Sequence, residues 1–317
     1  MTEPEAAKEE ESPTAFRSGF ACIIGRPNVG KSTLTNALLG SHVAITSDKP
    51  QTTRHAIRGV LNGPSAQLVV VDTPGYHKPR TVLGRRLNDL VRATWSEVEM
   101  LIMCVPANQK IGPGDEFIAK QSAAAGRKTR IGVVTKTDLA SPDQVAEQLV
   151  GLDQLGEKVG KPFDDLVPVS AADGANVQTL TDVLFSHLPP GPKMYPDDVI
   201  TDEPDATLVG ELIREAALQH MNDELPHSIA VVVEEMELRP GRPESDPLLD
   251  VVAFLFVERD SQKPIVIGKR GAGIRDIGTA ARARIEALLG TKVFLDLKVK
   301  LAKDWQKDPK QLRRLGF

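Results

Sequence analysis

The run Gly25-Arg26-Pro27-Asn28-Val29-Gly30-Lys31-Ser32 constrains this chain more than any other stretch. It has the spacing G-x-x-x-x-G-K-[ST], follows the apolar run at 20–25, and opens a segment with helical spacing at 31–39. Glycines let such a loop curl until its backbone N–H groups converge, and the N-terminus of the following helix adds partial positive charge. The result holds phosphates. Lys31 supplies a point charge toward the terminal phosphates, and Ser32 offers its hydroxyl to Mg²⁺. A strand, loop and helix in this order belong to an α/β layer structure, so the loop also bounds the fold.

The neighbouring pattern agrees. Near-continuous apolar runs at 56–61, 67–72, 100–105, 130–135 and 165–170 read as strands buried on both faces. Between them, 81–94, 114–125, 142–155 and 176–188 carry helical spacing. The alternation predicts a mostly parallel sheet with helices on both faces, an α/β domain over 18–188. Residues 1–17 are acidic and contain Pro and Ala, which predicts a disordered tail; 189–207 are rich in Pro and Asp and predict a linker. From 208 to 317 the order becomes helix, two strands, short helix, glycine-bounded loop, longer helix and a strand at 292–302, a smaller α+β domain.

Three further motifs fall at predicted strand ends. Asp72-Thr73-Pro74-Gly75 places a carboxylate where it can hold a Mg²⁺-bound water and a glycine N–H where it can sense a γ-phosphate. Thr135-Lys136-Thr137-Asp138 ends another strand and Ser170-Ala171 the next. The Asp138 carboxylate can accept from the ring N–H and amino group of guanine together, a donor pair that adenine lacks.

In this order the motifs resemble a translation-factor-class GTPase, a P-loop NTPase of Ras-like fold binding GTP or GDP with Mg²⁺. The stretch SDKPQTTRHAI at 47–57 resembles the first switch of the Era family. There a threonine completes the Mg²⁺ shell, a role the resemblance carries to Thr53, or else to Thr52. The metal set is then Ser32, Thr53 and Asp72, and the catalytic set Lys31, Thr53, Gly75 and Asn28. Tyr76 stands where Ras-like enzymes carry a water-orienting glutamine, which implies a hydrophobic-substituted GTPase. Asn28 occupies the position that helps bind K⁺ in potassium-activated relatives. His77 reads as a hydrated loop residue rather than a base. Thr135 departs from the usual asparagine, and its shorter side chain is expected to weaken the P-loop tether and with it affinity.

Formal net charge is −4, which averaged over the chain argues against nucleic acid. The charge is unevenly placed, however. From Arg259 to Phe317 there are 15 Lys/Arg against 6 Asp/Glu, whereas the preceding 258 residues hold 24 against 37. Within the basic end, Ile267-Gly268-Lys269-Arg270-Gly271 sits between two predicted helices, with Arg275 beyond it. This resembles the GXXG loop of a type II KH domain, as in the C-terminal domain of Era proteins, which clamps a nucleic-acid backbone. Few aromatics lie nearby (Phe294 and Trp305), so bases are expected in an apolar groove rather than on a stacking platform.

The resemblance implies binding of small-subunit (16S-type) ribosomal RNA and a part in 30S assembly, with no DNA partner. Two cysteines without metal-like spacing, and no apolar signal segment, predict a cytoplasmic protein. Peripheral contact of the basic end with the inner face of the membrane stays open. So does a second reading, an RNA-binding chaperone whose GTP site senses nucleotide and hydrolyses poorly.

Overall fold

The computed structural model describes residues 15–317 except 48, 50–51, 77–78, 80 and 222–227. The predicted tail lies outside the described residues up to 14, and Arg17 already opens the first strand. In chain order the first unit comprises β1 (Arg17–Ile24), α1 (Lys31–Leu39), β2 (Ile57–Asn62), β3 (Ala66–Asp72), α2 (Val82–Glu97) and β4 (Met100–Pro106). It continues with α3 (Pro113–Ala123), β5 (Thr129–Thr135), α4 (Pro142–Lys158), β6 (Asp165–Pro168) and α5 (Val177–Ser186). Every residue of β3 and β4 is buried, as their continuous apolar runs require of strands covered on both faces.

The six strands lie in the order β2-β3-β1-β4-β5-β6, with only β2 antiparallel to its neighbour. One core cluster packs α1 and α5 onto one face through Leu34, Leu38, Leu180 and Leu184. The opposite face packs α2, α3 and α4 through Val91, Trp95, Ile118, Leu152 and Leu155. Helix α4 starts where the chain says it should: Ser141 accepts from the Gln144 N–H while the Gln144 side chain accepts from Ser141, a reciprocal cap ahead of Pro142.

The segment predicted to be a linker is not loose. Ser18 N–H donates to the Pro189 carbonyl, Val60 N–H to the Ile200 carbonyl, and the buried Gln67 side chain bonds the Met194 and Tyr195 N–H groups and the Tyr195 carbonyl. Composition reported the absence of helix and strand there, but long-range backbone pairing holds the segment on the sheet. Its successor, α6 (Asp205–His220), begins a few residues before the predicted position.

The second unit continues with β7 (Ala230–Leu238), β8 (Leu248–Val257), α7 (Lys263–Ile267), α8 (Ala272–Leu289), β9 (Lys292–Leu301) and α9 (Pro309–Arg314). Strands β7 and β8 are antiparallel with a bulge between Val233 and Glu235, whereas β9 adds parallel to β8. A parallel neighbour needs a crossover, which α7 and α8 provide. Alternate residues Val293, Leu295, Leu297 and Val299 of β9 face the core built with α6 and α8.

A further cluster joins the units. Leu83 and Leu87 of α2 pack with Phe254, Phe256, Trp305, Leu312 and Leu315. Helix α9 was not anticipated, and Trp305 is part of the core rather than of the surface. It is fully buried, with its indole N–H donating to the Ser228 carbonyl.

Candidate functional site

Strands β1 and β3 are neighbours, and the chain leaves them toward opposite faces of the sheet, β1 into α1 and β3 into α2. The crevice at the carboxyl ends of such strands is where α/β sheets bind ligands. The predicted phosphate loop sits there. Gly25 (φ 155°), Asn28 (φ 63°) and Gly30 (φ 96°) bend it, and a Cβ on Gly25 would lie 2.8 Å from the Cys104 carbonyl oxygen. Lys31 is buried with its Nζ donating to the Arg26 carbonyl at 3.0 Å, folded over the loop. Pro27, Val29, Gly30 and Ser32 follow the same curve into α1. The Arg26 side chain, by contrast, turns away to the buried Asp115 at 2.7 Å, leaving its backbone as its only means of facing a phosphate.

Three oxygens converge beside the loop. Ser32 Oγ lies 2.6 Å from Asp72 Oδ2 and 2.9 Å from Thr53 Oγ1, and Thr53 Oγ1 lies 3.3 Å from the same carboxylate oxygen. Thr52 instead donates to the Lys49 carbonyl, so Thr53 is the threonine brought to the site. The other Asp72 oxygen is buried without a hydrogen-bond partner among the described residues. Two hydroxyls and a buried carboxylate form an all-oxygen set suited to Mg²⁺. Burial pushes the Asp72 carboxyl up and the Lys31 ammonium down, each opposed by the other's charge. A triphosphate with its divalent ion carries the counter-charges that both groups favour.

Gly75 packs so closely on the loop that a Cβ would stand 2.9 Å from Pro27 N. Thr73 is fully buried, its hydroxyl on the Ile23 carbonyl at 3.0 Å, which with Pro74 leads the chain from β3 to Gly75. Tyr76 points the other way. It is buried between Trp95 and Phe117 with its hydroxyl 2.7 Å from Arg92 Nε, so it offers no side chain to an attacking water. His77 lies outside the described residues.

At the guanine end, Thr135 donates to the Val29 carbonyl at 2.5 Å and lies 3.3 Å from the Val105 carbonyl. The tether expected to weaken is therefore present in threonine form. Lys136 (φ 58°) turns the chain into the short 3₁₀ turn that presents Asp138, and its Nζ donates to the Asn28 carbonyl at 2.8 Å. Ser170 is buried and donates to Asp138 Oδ1 at 2.8 Å, with Ala171 next to it in the loop after β6. Asp138 itself is exposed, so its desolvation must come from the base that covers it.

The second candidate site lies between α7 and α8. Gly268 (φ 72°), Arg270 (φ 54°) and Gly271 (φ 77°) shape a tight loop, and a Cβ on Gly268 would meet Gly273 N at 2.6 Å. Lys269, Arg270 and Arg275 are exposed, as is Ile267. A groove of about 380 Å³ runs from Gly271 and Arg275 along α8 to Phe294 and Leu295 on the free edge of β9. Sequence reasoning missed Gly273 and Asp115. Gly273 sits 2.7 Å (as a Cβ) from the Val266 carbonyl, a close approach that no spacing motif reports.

Comparison with known proteins gives a consistent picture. A family model described as 50S ribosome-binding GTPase matches residues 20–136, and one described as KH domain matches 224–306. GTPase Era of Nocardioides sp. is 60% identical over 303 residues, covering 96% of this chain and 97% of the relative. GTPase Era of Mycolicibacterium smegmatis is 59% identical over 305 residues, 96% of this chain and 100% of the relative. Among solved structures, Era in complex with MgGDPNP and nucleotides 1506–1542 of 16S ribosomal RNA superposes with TM-score 0.89 at 36% identity, covering 95% of this chain and 99% of the other. A single-substitution variant of Aquifex aeolicus Era bound to GDP·AlF₄⁻ does so with TM-score 0.88 at 35% identity and the same coverage.

Proposed function

This chain belongs to the Era family of GTPases, and on that premise we propose that it hydrolyses GTP at the P-loop cleft while binding small-subunit ribosomal RNA along the basic groove, assisting 30S assembly. The observation that carries this reading is the meeting of Ser32, Thr53 and Asp72 in a chain that also bears a GXXG groove.

Loop N–H groups and Lys31 cradle the phosphates, and Gly75 N–H faces the γ-phosphate, where it donates to charge that grows during transfer. Asp138, fixed by Ser170, reads guanine. Ser32, Thr53 and Asp72 would hold Mg²⁺, which would supply charge neutralisation at the terminal phosphates. Because Tyr76 is turned into the core, the attacking water is oriented by backbone groups rather than by a side chain at that position. Asn28 would help hold K⁺, which would supply an added positive charge for the transition state. Domain limits of 18–188 and 208–317, joined by 189–207, accommodate both sites.

On the RNA side, Lys269 and Arg270 take phosphates and the groove takes unpaired bases. We place the protein in the cytoplasm, with its basic end also able to meet anionic lipid at the membrane's inner face. The test is single-turnover hydrolysis in potassium and in sodium buffer, together with crosslinking to total RNA under GTP, GDP or neither. Hydrolysis faster in potassium, and a footprint on 16S-type RNA that depends on nucleotide, are expected. Turnover that survives Lys31→Ala would overturn the catalytic reading, and flotation with anionic vesicles checks the lipid contact.

A further inference from the structure

The loop that carries Thr53 meets the other domain at several points, among them Arg54 on the Ile229 carbonyl and over the Trp305 ring, and two of them are carboxylate-anchored grips from α6. Glu211 and Glu215 sit one turn apart on that helix. Glu211 holds Arg214 through two bonds, to Nε at 2.9 Å and Nη2 at 2.6 Å. The same Nη2 donates to the Thr52 carbonyl, the peptide unit that leads directly into Thr53. Farther back along the loop, Glu215 accepts from the Thr46 N–H at 2.7 Å and its hydroxyl at 3.1 Å. Glu215 also meets His42 at 3.0 Å and Arg284 of α8 at 2.9 Å.

All three α6 side chains are buried, Arg214 to 1% exposure, Glu215 to 1% and Glu211 to 6%. Apolar residues of similar volume would join two domains at lower desolvation cost, so such a network is weak as simple adhesive. Its directional bonds instead fix where one loop backbone lies. Bidentate pairing to Glu211 leaves the Arg214 guanidinium little freedom, which transfers that order to the Thr52 carbonyl.

We propose that α6 of the RNA-binding domain completes the GTP site in cis, with Arg214, oriented by Glu211, as a positioning residue for Thr53. The proposal rests on Thr53 being the switch threonine of the Mg²⁺ site. In GTPases the first switch is ordered by contacts to the γ-phosphate and Mg²⁺, which GDP does not supply. Arg214 therefore favours the GTP-bound arrangement selectively. By linkage, whatever shifts α6, RNA on the adjoining α8 included, shifts GTP affinity by the same factor that GTP shifts the binding of that partner.

The test measures affinities of full-length protein for GDP and a non-hydrolysable GTP analogue, with Mg²⁺ and with EDTA. Arg214→Gln removes the charge, and Arg214→Lys keeps it but cannot bond Glu211 twice and Thr52 together. In Mg²⁺ each should weaken the analogue on the order of tenfold or more while GDP affinity stays within about twofold. In EDTA the difference should vanish. Leu87→Ala, which loosens an apolar contact between the units away from the switch loop, serves as control and should lower the melting temperature without changing the GTP-to-GDP ratio. Equal losses for both nucleotides, or the same ratio change in Leu87→Ala, would reduce Arg214 to structural glue. Thr53→Ala separates the two readings. If it loses Mg²⁺-dependent discrimination and the Arg214 variants do not, the positioning role fails alone; if Thr53→Ala keeps it, the Mg²⁺ assignment fails as well.

Discussion

Thr135→Val removes one buried hydroxyl and keeps the side chain's shape. Thr135 is 4% exposed, and its hydroxyl donates at 2.5 Å to the Val29 carbonyl, with the Val105 carbonyl at 3.3 Å as the alternative acceptor. One proton serves one acceptor at a time, so the substitution deletes one good hydrogen bond. If water reaches the freed carbonyl, the loss is about 1 kcal/mol; if the carbonyl stays dry, about 3 kcal/mol. The Val29 carbonyl belongs to the phosphate loop, and both nucleotides use that loop. Affinities for GDP and GTP should therefore fall together, by roughly 5- to 150-fold if the whole loss is expressed in loop order. Stopped-flow binding of fluorescent GDP and GTP analogues, with thermal melting alongside, measures the partition. A lowered melting temperature with both affinities unchanged would refute the reasoning, since the bond would then support β5 without holding the loop.

Other outcomes follow from single contacts. Asp138→Asn converts one acceptor into a donor facing guanine's donors, so GTP should lose on the order of 100-fold and xanthosine triphosphate should gain, read by competition binding. Gly75→Ala drives a Cβ to 2.9 Å from Pro27 N, backbone that cannot yield. Single-turnover hydrolysis should drop by about 100-fold or more, the scale of losing one transition-state donor, and unchanged turnover would remove Gly75 from the γ-phosphate. Replacing Lys269 and Arg270 together by Ala should weaken single-stranded RNA and lower the salt slope by about 1.4, as expected for two lost phosphate contacts. Acid should loosen the contact between the units. Burial raises the Glu215 carboxyl, but hydrogen bonds from His42 and Thr46 and the charges of His42 and Arg284 outweigh it and hold it below 4.5. A depressed carboxyl gives stability that is complete above 4.5 and lost as pH falls through the folded value. Urea unfolding at pH 6 and pH 4 should show a larger difference in the native chain than in Glu215→Gln.

What the sequence made legible was local. The phosphate loop needs glycines at fixed offsets and a lysine before a hydroxyl, and each strand announces itself by burial on both faces. Hence β1, α1 and β3 fall where the apolar runs put them. Thr52 and Thr53 are equivalent in spacing, and only the fold brings one of them to Asp72. Arg26 lies within the motif, yet its side chain answers to Asp115, far away in sequence. Trp305 counted as a residue of the basic end until packing placed it under α2. The segment at 189–207 makes a related point, because Pro and Asp disfavour regular structure without forbidding hydrogen bonds to a distant edge. Contacts between units leave no periodic trace, and the α6 grip on the first switch belongs to that class.

That α6 follows the whole six-stranded sheet in the chain has a consequence for biosynthesis. Every residue proposed to contact phosphate or guanine lies at Ala171 or earlier, so a nascent chain can shape the nucleotide pocket while its second unit is still being made. Synthesis at about 5–20 residues per second leaves an interval of roughly 6–26 s between Leu188 and Phe317. Until α6 and the strands it packs on have been made and folded, the loop bearing Thr53 lacks its α6 anchors. A newborn chain should thus pass through a form that accepts GDP and GTP with little preference, and acquire selectivity only when α6 docks.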